Sequence, residues 1–235
     1  MKIEENGIYL GDAYELIKQV PDKSVDLIYT DIPYKTDFNK NKSTTFHFED
    51  SYRATDRKLK PIVTSIDYSI VSEFLRVLKK VNIYVWCSVS QISDIIEKTK
   101  KYRHDILVWH KTNALRMNKR QYITDLEYCL LITEGQGKNN TGSFHSKLYE
   151  SASNVSENRK YRHPTCKPEK LVREHLLMSS KPGEVVFDPF MGSGTTCAVA
   201  KSIGRKYIGF EIDKDYYETA KQRISEVHDD KETDS

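Results

Sequence analysis

Apolar positions along the chain fall into two patterns, short unbroken runs and longer stretches at helical spacing. The short runs lie at residues 8–10, 25–30, 81–88, 105–109, 126–133, 185–187 and 207–210, and they read as strands. Between them, residues 13–20, 69–79, 90–100, 169–179 and 195–204 read as helices, the last ending at Gly204 as a C-cap. In 69–79 the apolar side is Val71, Phe74, Leu75 and Leu78; in 169–179 it is Leu171, Val172, His175 and Leu176. Strands alternating with helices predict an α/β fold, one mostly parallel, twisted sheet with helices on both faces. Runs 105–109 and 126–133 have no helix between them, which predicts an antiparallel hairpin at the sheet edge.

Three segments lack periodicity. Residues 35–60 mix Phe38, Phe46, Phe48 and Tyr52 with seven Lys/Arg and four acids. A loop of that length inside a compact domain is usually functional or mobile, so a substrate-closing lid and an aromatic cluster packed under a loop are equal readings. Residues 134–162 are rich in Gly, Asn and Ser and read as a linker or flexible loop, not a second domain. Residues 226–235 form an acidic tail expected to be disordered. The chain of 235 residues therefore reads as one domain, 1–235.

Composition narrows the class. No apolar run approaches the ~18–20 residues of a membrane span, and the start, MKIEENGIYL, lacks a signal-peptide core. Cys87, Cys129, Cys166 and Cys197 form no CxxC pair and His163 has no partner at ligand spacing, so reduced thiols, no metal and a cytoplasmic, intracellular location are expected. A net charge of +3 does not by itself suggest nucleic acid, but its distribution does more. Within 110–124 stand Lys111, Arg116, Lys119 and Arg120 with no acid up to Ile123. From 158 to 173 there are six Lys/Arg, among them Arg159, Lys160 and Arg162, against Glu169 alone.

Candidate chemistry centres on residues 185–196, VVFDPFMGSGTT. A strand, a Gly192-Ser193-Gly194 loop, a helix, a second strand and the terminal acid Glu211 make a nucleotide-binding βαβ order. The glycines let a ligand approach the backbone, and an acid ending the next strand can accept both ribose hydroxyls. No Lys follows Gly194, which excludes a P-loop, and Cys197 holds the third glycine place of a dinucleotide fingerprint. The pattern suits S-adenosylmethionine, although the loop alone could also be a structural turn. A second signal stands at Asp31-Ile32-Pro33-Tyr34, directly after the buried-strand pattern of 25–30.

Together these two motifs resemble those of the exocyclic-amino DNA methyltransferases, whose catalytic tetrapeptide is (Asp/Asn/Ser)-Pro-Pro-(Tyr/Phe/Trp). The early tetrapeptide and late DPF-x-GSGTT loop follow the order of the family's β-group, and the resemblance spans about residues 8–224. It departs at Ile32, where the family has proline. The resemblance implies a Rossmann-like fold that uses S-adenosyl-L-methionine, with Asp31, Asp188, Phe190, Gly192, Ser193, Gly194, Thr195, Glu211 and Ile212 around the cofactor. Asp12 matches the family's adenine-contacting acid, although an N-cap reading is equal and compatible. His163-Pro164-Thr165-Cys166-Lys167-Pro168 matches HPT-x-KP, which makes Thr165 and Lys167 candidate ligands for the cofactor's carboxylate; two prolines framing a turn explain the same residues structurally. The implied partner is double-stranded DNA, with a homodimer and a cognate restriction endonuclease as companions. DNA phosphates would then meet Lys111, Arg116, Lys119, Arg120, Arg159, Lys160 and Arg162, which sets affinity without reading sequence. Asn113, Asn118 and Gln121 are candidates for base edges, and 35–60 becomes a DNA-contacting lid.

The chemistry agrees with the tetrapeptide. An exocyclic amine is a poor nucleophile because its lone pair is delocalised into the ring. Two acceptors that draw its hydrogens out of plane, here the Asp31 carboxylate and the Ile32 carbonyl, free that pair for in-line attack. Tyr34 offers a stacking face for a base flipped from the duplex. Isoleucine still favours the extended backbone, which preserves the carbonyl direction. Asp at the head of the tetrapeptide favours adenine-N6, with cytosine-N4 as the alternative. RNA or protein-glutamine methylation is disfavoured by motif order, and a catalytically impaired cofactor- or DNA-binding module is the non-enzymatic rival.

Overall fold

The computed structural model describes residues 2–33, 66–114, 122–153, 155–161 and 166–227. The region 35–60, Tyr34, residues 115–121, Arg162, Thr165 and the tail from 228 onward lie outside the described residues. Eight strands form one sheet: β1 (Gly7–Leu10), β2 (Leu27–Asp31), β3 (Asn82–Cys87), β4 (Arg103–Lys111), β5 (Leu126–Thr133), β6 (Leu148–Ser151), β7 (Val185–Asp188) and β8 (Lys206–Glu211). Their order is β1-β8-β7-β2-β3-β5-β4-β6. Among these strands only β5 runs against the others, pairing antiparallel with both β3 and β4. The remaining ladders are parallel.

Each buried strand presents apolar side chains to both faces, as a parallel sheet covered on both sides requires. On one face Ile28, Ile83, Val85, Phe187, Ile208 and Phe210 pack under α1 (Ala13–Leu16), α2 (Ile70–Val77) and α3 (Val89–Thr99). On the other, Leu27, Tyr29, Tyr84, Trp86 and Val186 meet Leu171, Val172 and Leu176 of α5 (Glu169–Ser179) and Val199 and Ala200 of α6 (Thr195–Ser202). α7 (Lys214–Ser225) adds Ala220 and Ile224 against α6. Helix starts follow the side chains placed there. Asp12 accepts from Tyr14 N at 2.9 Å, Asp213 from Asp215 N at 2.8 Å, and Ser88 with Gln91 forms a capping box before α3. Gly204 at φ +73° follows α6, as its sequence position predicts.

Two parts of the sequence reading change. Residues 134–162 are not simply a flexible linker: they contain β6 and α4 (Val155–Lys160). β6 pairs with β4 from Val108↔Leu148 to Lys111↔Ser151, so the antiparallel hairpin is one strand removed from the sheet edge. No apolar period marks this strand, because its Leu148 is exposed and backbone pairing, with a Trp109 Nε1 to Ser151 Oγ bond of 2.9 Å, holds it. In addition, α7 follows the acid that ends β8, and Glu226 closes that helix through its N–H to Gln222 O. Among the described residues, no helix is long and apolar enough to cross a membrane.

The approach of α6 to α7 depends on Gly194. Its φ is +76°, and a Cβ there would lie 2.8 Å from Ala220 Cβ and 3.1 Å from Ala220 Cα. Gly194→Ala therefore adds overlap of about 1–3 kcal/mol to a left-handed backbone penalty of about 1–2 kcal/mol. Gly183→Ala, at φ +80° with nothing within 4 Å, carries the backbone penalty alone. Thermal unfolding should show the Gly194 variant losing roughly twice as many degrees as the Gly183 variant, at about 2–4 °C per kcal/mol. Equal losses would mean that the helices do not meet closely here.

Candidate active site

The carboxyl ends of β1, β8, β7 and β2 lie side by side; β8, β7 and β2 end on Glu211, Asp188 and Asp31, and Asp12 follows β1 after Gly11. The chain leaves β7 toward β8 but leaves β2 toward β3, so these two strands flank the point where connections diverge. In open α/β sheets that crevice is where ligands bind. A cleft of about 350 Å³ opens here, within the size range of small-molecule sites. Its wall carries Asp12, Asp31, Ile32, Pro33, Lys167, Asp188, Phe190, Gly192, Ser193, Thr195, Glu211 and Ile212. The structure thus brings together nearly every described residue that the sequence assigns to catalysis or cofactor binding, with Gly194 directly behind at the start of α6.

The loop from β7 is built around carboxylates. Glu211 Oε2 accepts from Gly192 N at 2.9 Å, while its Oε1 accepts from Asp213 N at 2.8 Å. Burial raises the Glu211 carboxyl, and the amides of Asp213, Gly192 and Ile212 partly offset that. A carboxylate has about four acceptor positions, so with three amides bound one remains for a ribose hydroxyl. Phe190 and Ile212 supply apolar surface beside it. Asp188 is buried, which pushes its carboxyl up to about 7 despite hydrogen bonds from Thr196, Thr30 and Phe190 N. The Thr30 bond, 2.8 Å to Asp188 Oδ1, ties β2 to β7 beneath the cleft. From behind the loop, Arg223 donates to Thr195 Oγ1 at 2.7 Å and Ser193 Oγ at 3.3 Å, and pairs with Glu169 at 2.6 Å. A four-acid rim with a ribose-accepting position and an open glycine backbone fits a cationic, ribose-bearing cofactor.

Across the cleft, Asp31 sits at the end of β2 in register with Trp86. Its Oδ2 is ion-paired with Lys167 Nζ, and Lys167 also lies 3.0 Å from Glu127 Oε2 and 5.2 Å from the centre of the Trp86 ring. Pro33 O accepts from Gln91 Nε2 at 2.9 Å, so the first turn of α3 anchors the tetrapeptide. Ile32 is 2% exposed and belongs to the core beneath α2 and α3. The departure from proline thus contributes a packed apolar side chain on an extended strand end.

Several residues were not found by sequence reasoning. Glu127 was one strand position among many, Gln91 a helix polar residue and Arg223 part of an unassigned helix. None carries a motif, and their roles come from contacts across the fold. Lys111 is directed inward: it is ion-paired with Glu127 and lies 5.2 Å from the Trp109 ring centre. Asn113 Oδ1 accepts from Ser153 N at 2.7 Å. Lys160 stands over Tyr161 and 3.7 Å from Glu226, and Arg159 lies in α4. Arg116, Asn118, Lys119, Arg120, Gln121 and His163 lie outside the described residues. All four cysteines are buried and none forms a disulfide.

Known proteins share both the sequence and this architecture. A solved M1.HpyAVI–SAM complex is 26% identical, covers 93% of this chain and 98% of its own, and superposes with a TM-score of 0.69. The cytosine-N4-specific PvuII DNA methyltransferase, 18% identical, covers 99% of this chain and 89% of its own at a TM-score of 0.70, a likeness of fold. The Type II methyltransferase M.HinfI of Haemophilus influenzae is 28% identical, over 94% of this chain and 69% of its own length. The DNA methylase family model matches residues 25–222, which include the tetrapeptide, the glycine loop and Glu211, and the chain belongs to that family of N6/N4 DNA methylases.

Proposed function

We propose that this chain transfers a methyl group from S-adenosyl-L-methionine to the N6 amine of a flipped adenine within a specific sequence of double-stranded DNA. The observation that carries the reading is the single cleft shared by Asp31 at the end of β2 and the glycine loop with Glu211. The cofactor supplies an electrophilic methyl on a sulfonium. Glu211 holds the ribose, the Gly192–Gly194 backbone lies against the cofactor, and the acids of the rim favour its positive charge. Lys167, already paired with Asp31, borders the cofactor's carboxylate together with Thr165, and Asp12 reaches its adenine.

On the reacting side, the Asp31 carboxylate and the Ile32 carbonyl accept the two amine hydrogens. Held in that way, the nitrogen lone pair would be free to take the methyl group from the sulfonium, the C–N bond forming as the S–C bond broke. Alkylation makes the amine acidic, and Asp31 is the nearest acceptor for its proton. Tyr34 stacks on the extruded base. Asp rather than Ser at the head of the tetrapeptide supports adenine. Phosphates meet Arg116, Lys119, Arg120, Arg159, Lys160 and Arg162, whereas Lys111 is engaged by Glu127. The Type II designation of M.HinfI supports sequence-specific modification alongside a restriction endonuclease. A homodimer supplies further DNA contact in the same reading.

Expression in a methylation-free bacterial host, followed by modification-sensitive sequencing, should reveal N6-methyladenine in one recurring motif. N4-methylcytosine would retain the mechanism and replace the target base. An unmodified genome from soluble, cofactor-binding protein would favour the impaired module instead.

Two variants separate the halves of the cleft. Asp31→Ala should lower single-turnover methyl transfer by about 10²–10⁴-fold while cofactor affinity, measured by calorimetry, is retained. Turnover near that of the unaltered protein would remove Asp31 from the reaction. Glu211→Ala removes a charged hydrogen bond to the ribose worth about 1.5–3 kcal/mol, so the cofactor Kd should rise roughly 10–100-fold. An unchanged Kd would exclude Glu211 from the ribose site.

A further inference from the structure

The buried charges behind Asp31 form an alternating row. Lys111, at the end of β4, is ion-paired with Glu127 Oε1; Glu127 Oε2 lies 3.0 Å from Lys167 Nζ; and Lys167 is ion-paired with Asp31 Oδ2. The side chains of Lys167 and Glu127 are only 6% and 14% exposed. Burial alone would raise the Glu127 carboxyl, but Lys167 and then Lys111 outweigh it and hold the group below its ordinary range. The row sets two lysines against two carboxylates in alternation.

A lysine is a point charge on a flexible four-carbon stem, so one carboxylate partner fixes its distance without fixing its direction. Glu127 projects from β5, which pairs with β3 through Cys129↔Trp86, and β3 pairs with β2 through Trp86↔Asp31. Glu127 is thus mounted on the same rigid sheet as Asp31, two strands away. A second anchor on that frame, with the Trp86 ring 5.2 Å from the ammonium, determines where the lysine charge sits.

We propose that Glu127 is a positioning residue for methyl transfer: it holds the Lys167 ammonium against Asp31 Oδ2 and so sets the plane of the carboxylate that accepts the target amine. Lys111 shares the load, since its cation balances Glu127 and keeps it from drawing Lys167 away from Asp31. The inference rests on the reading of Asp31 as the amine acceptor. It assigns a contribution to a residue that has no contact with substrate or cofactor.

The test compares Glu127→Gln, Lys167→Met and the double variant in single-turnover methyl transfer, with cofactor Kd measured by calorimetry. Glu127→Gln keeps the shape and removes the charge. It should slow transfer at saturating cofactor about 10–100-fold, with a smaller rise in Kd because Lys167 also borders the cofactor. In the Lys167→Met background the same change should cost less than twofold, because the residue it acts through is gone. Losses that multiply, a rate within twofold of the unaltered protein, or a parallel rise in Kd would each overturn the proposal. A second readout does not need turnover. The Lys167 ammonium resonance, observed by heteronuclear NMR, should be sharp and slow to exchange in the unaltered protein and lost in Glu127→Gln. Its persistence in the variant would also overturn the assignment. If the unaltered protein methylates no DNA base, the reaction reading fails, and this resonance still decides the role of Glu127.

Discussion

Parallel pairing of β2 with β7, through Leu27↔Val186 and Ile28↔Phe187, is the constraint on which the site depends. It joins segments that lie far apart in the chain and puts the tetrapeptide beside the glycine loop. The pairing also sets acid beside acid, since the buried Asp188 and the partly exposed Asp31 end adjacent strands. Burying a carboxylate is costly unless its charge or its lone pairs are met. Much of the surrounding architecture answers that cost. Thr30, Thr196 and the Phe190 amide bind Asp188, and amides of the loop and of the β8 turn bind Glu211. Lys167 meets Asp31.

The cations that complete the site come from the opposite face of the sheet. Lys167 immediately precedes α5, and Arg223 lies on α7 with its guanidinium 3.9 Å from the Tyr161 ring centre. Packing of α5 and α6 on Leu27, Tyr29 and Val186 therefore does more than cover the sheet. It places one charge in the cleft and another behind the glycine loop. A polar thread runs through that core: Trp86 Nε1 donates to Tyr29 Oη at 3.0 Å, and Tyr29 Oη lies 3.2 Å from His175 Nδ1. Burial pushes His175 down to about 3, so it is a neutral hydrogen-bonding partner at ordinary pH and carries no charge toward the cleft. Its contribution is to orient Trp86, on whose ring face the Lys167 ammonium rests.

At Ile32 the chain departs from the family pattern and holds its backbone by other means. Proline would set φ and remove an N–H. Here the Ile32 N–H is used, donating to Trp86 O at 3.2 Å, so the sheet ladder extends to the tetrapeptide and constrains the same backbone by pairing. Gln91 holds the next carbonyl. Rigidity comes from two hydrogen bonds and a buried side chain instead of a ring.

The sequence by itself determined the fold class, seven of the eight strands and the glycine loop and acids that line one side of the cleft. Those features are local: apolar runs mark the strands, and the glycines, Asp188 and Glu211 occupy fixed offsets along one βαβ unit. Asp31 was legible for the same reason, as an acid that ends an apolar strand. β6 was not, because a polar strand with exposed side chains has no period of its own and exists only through its pairing with β4. Gln91, Glu127 and Arg223 were equally silent, since polar residues on strands and helices usually face water. Lys111 read as one more cation in a basic stretch, yet the sheet turns it inward to Glu127. Only the tertiary structure decided these, because the energy of a buried charge depends on which distant segment supplies its partner.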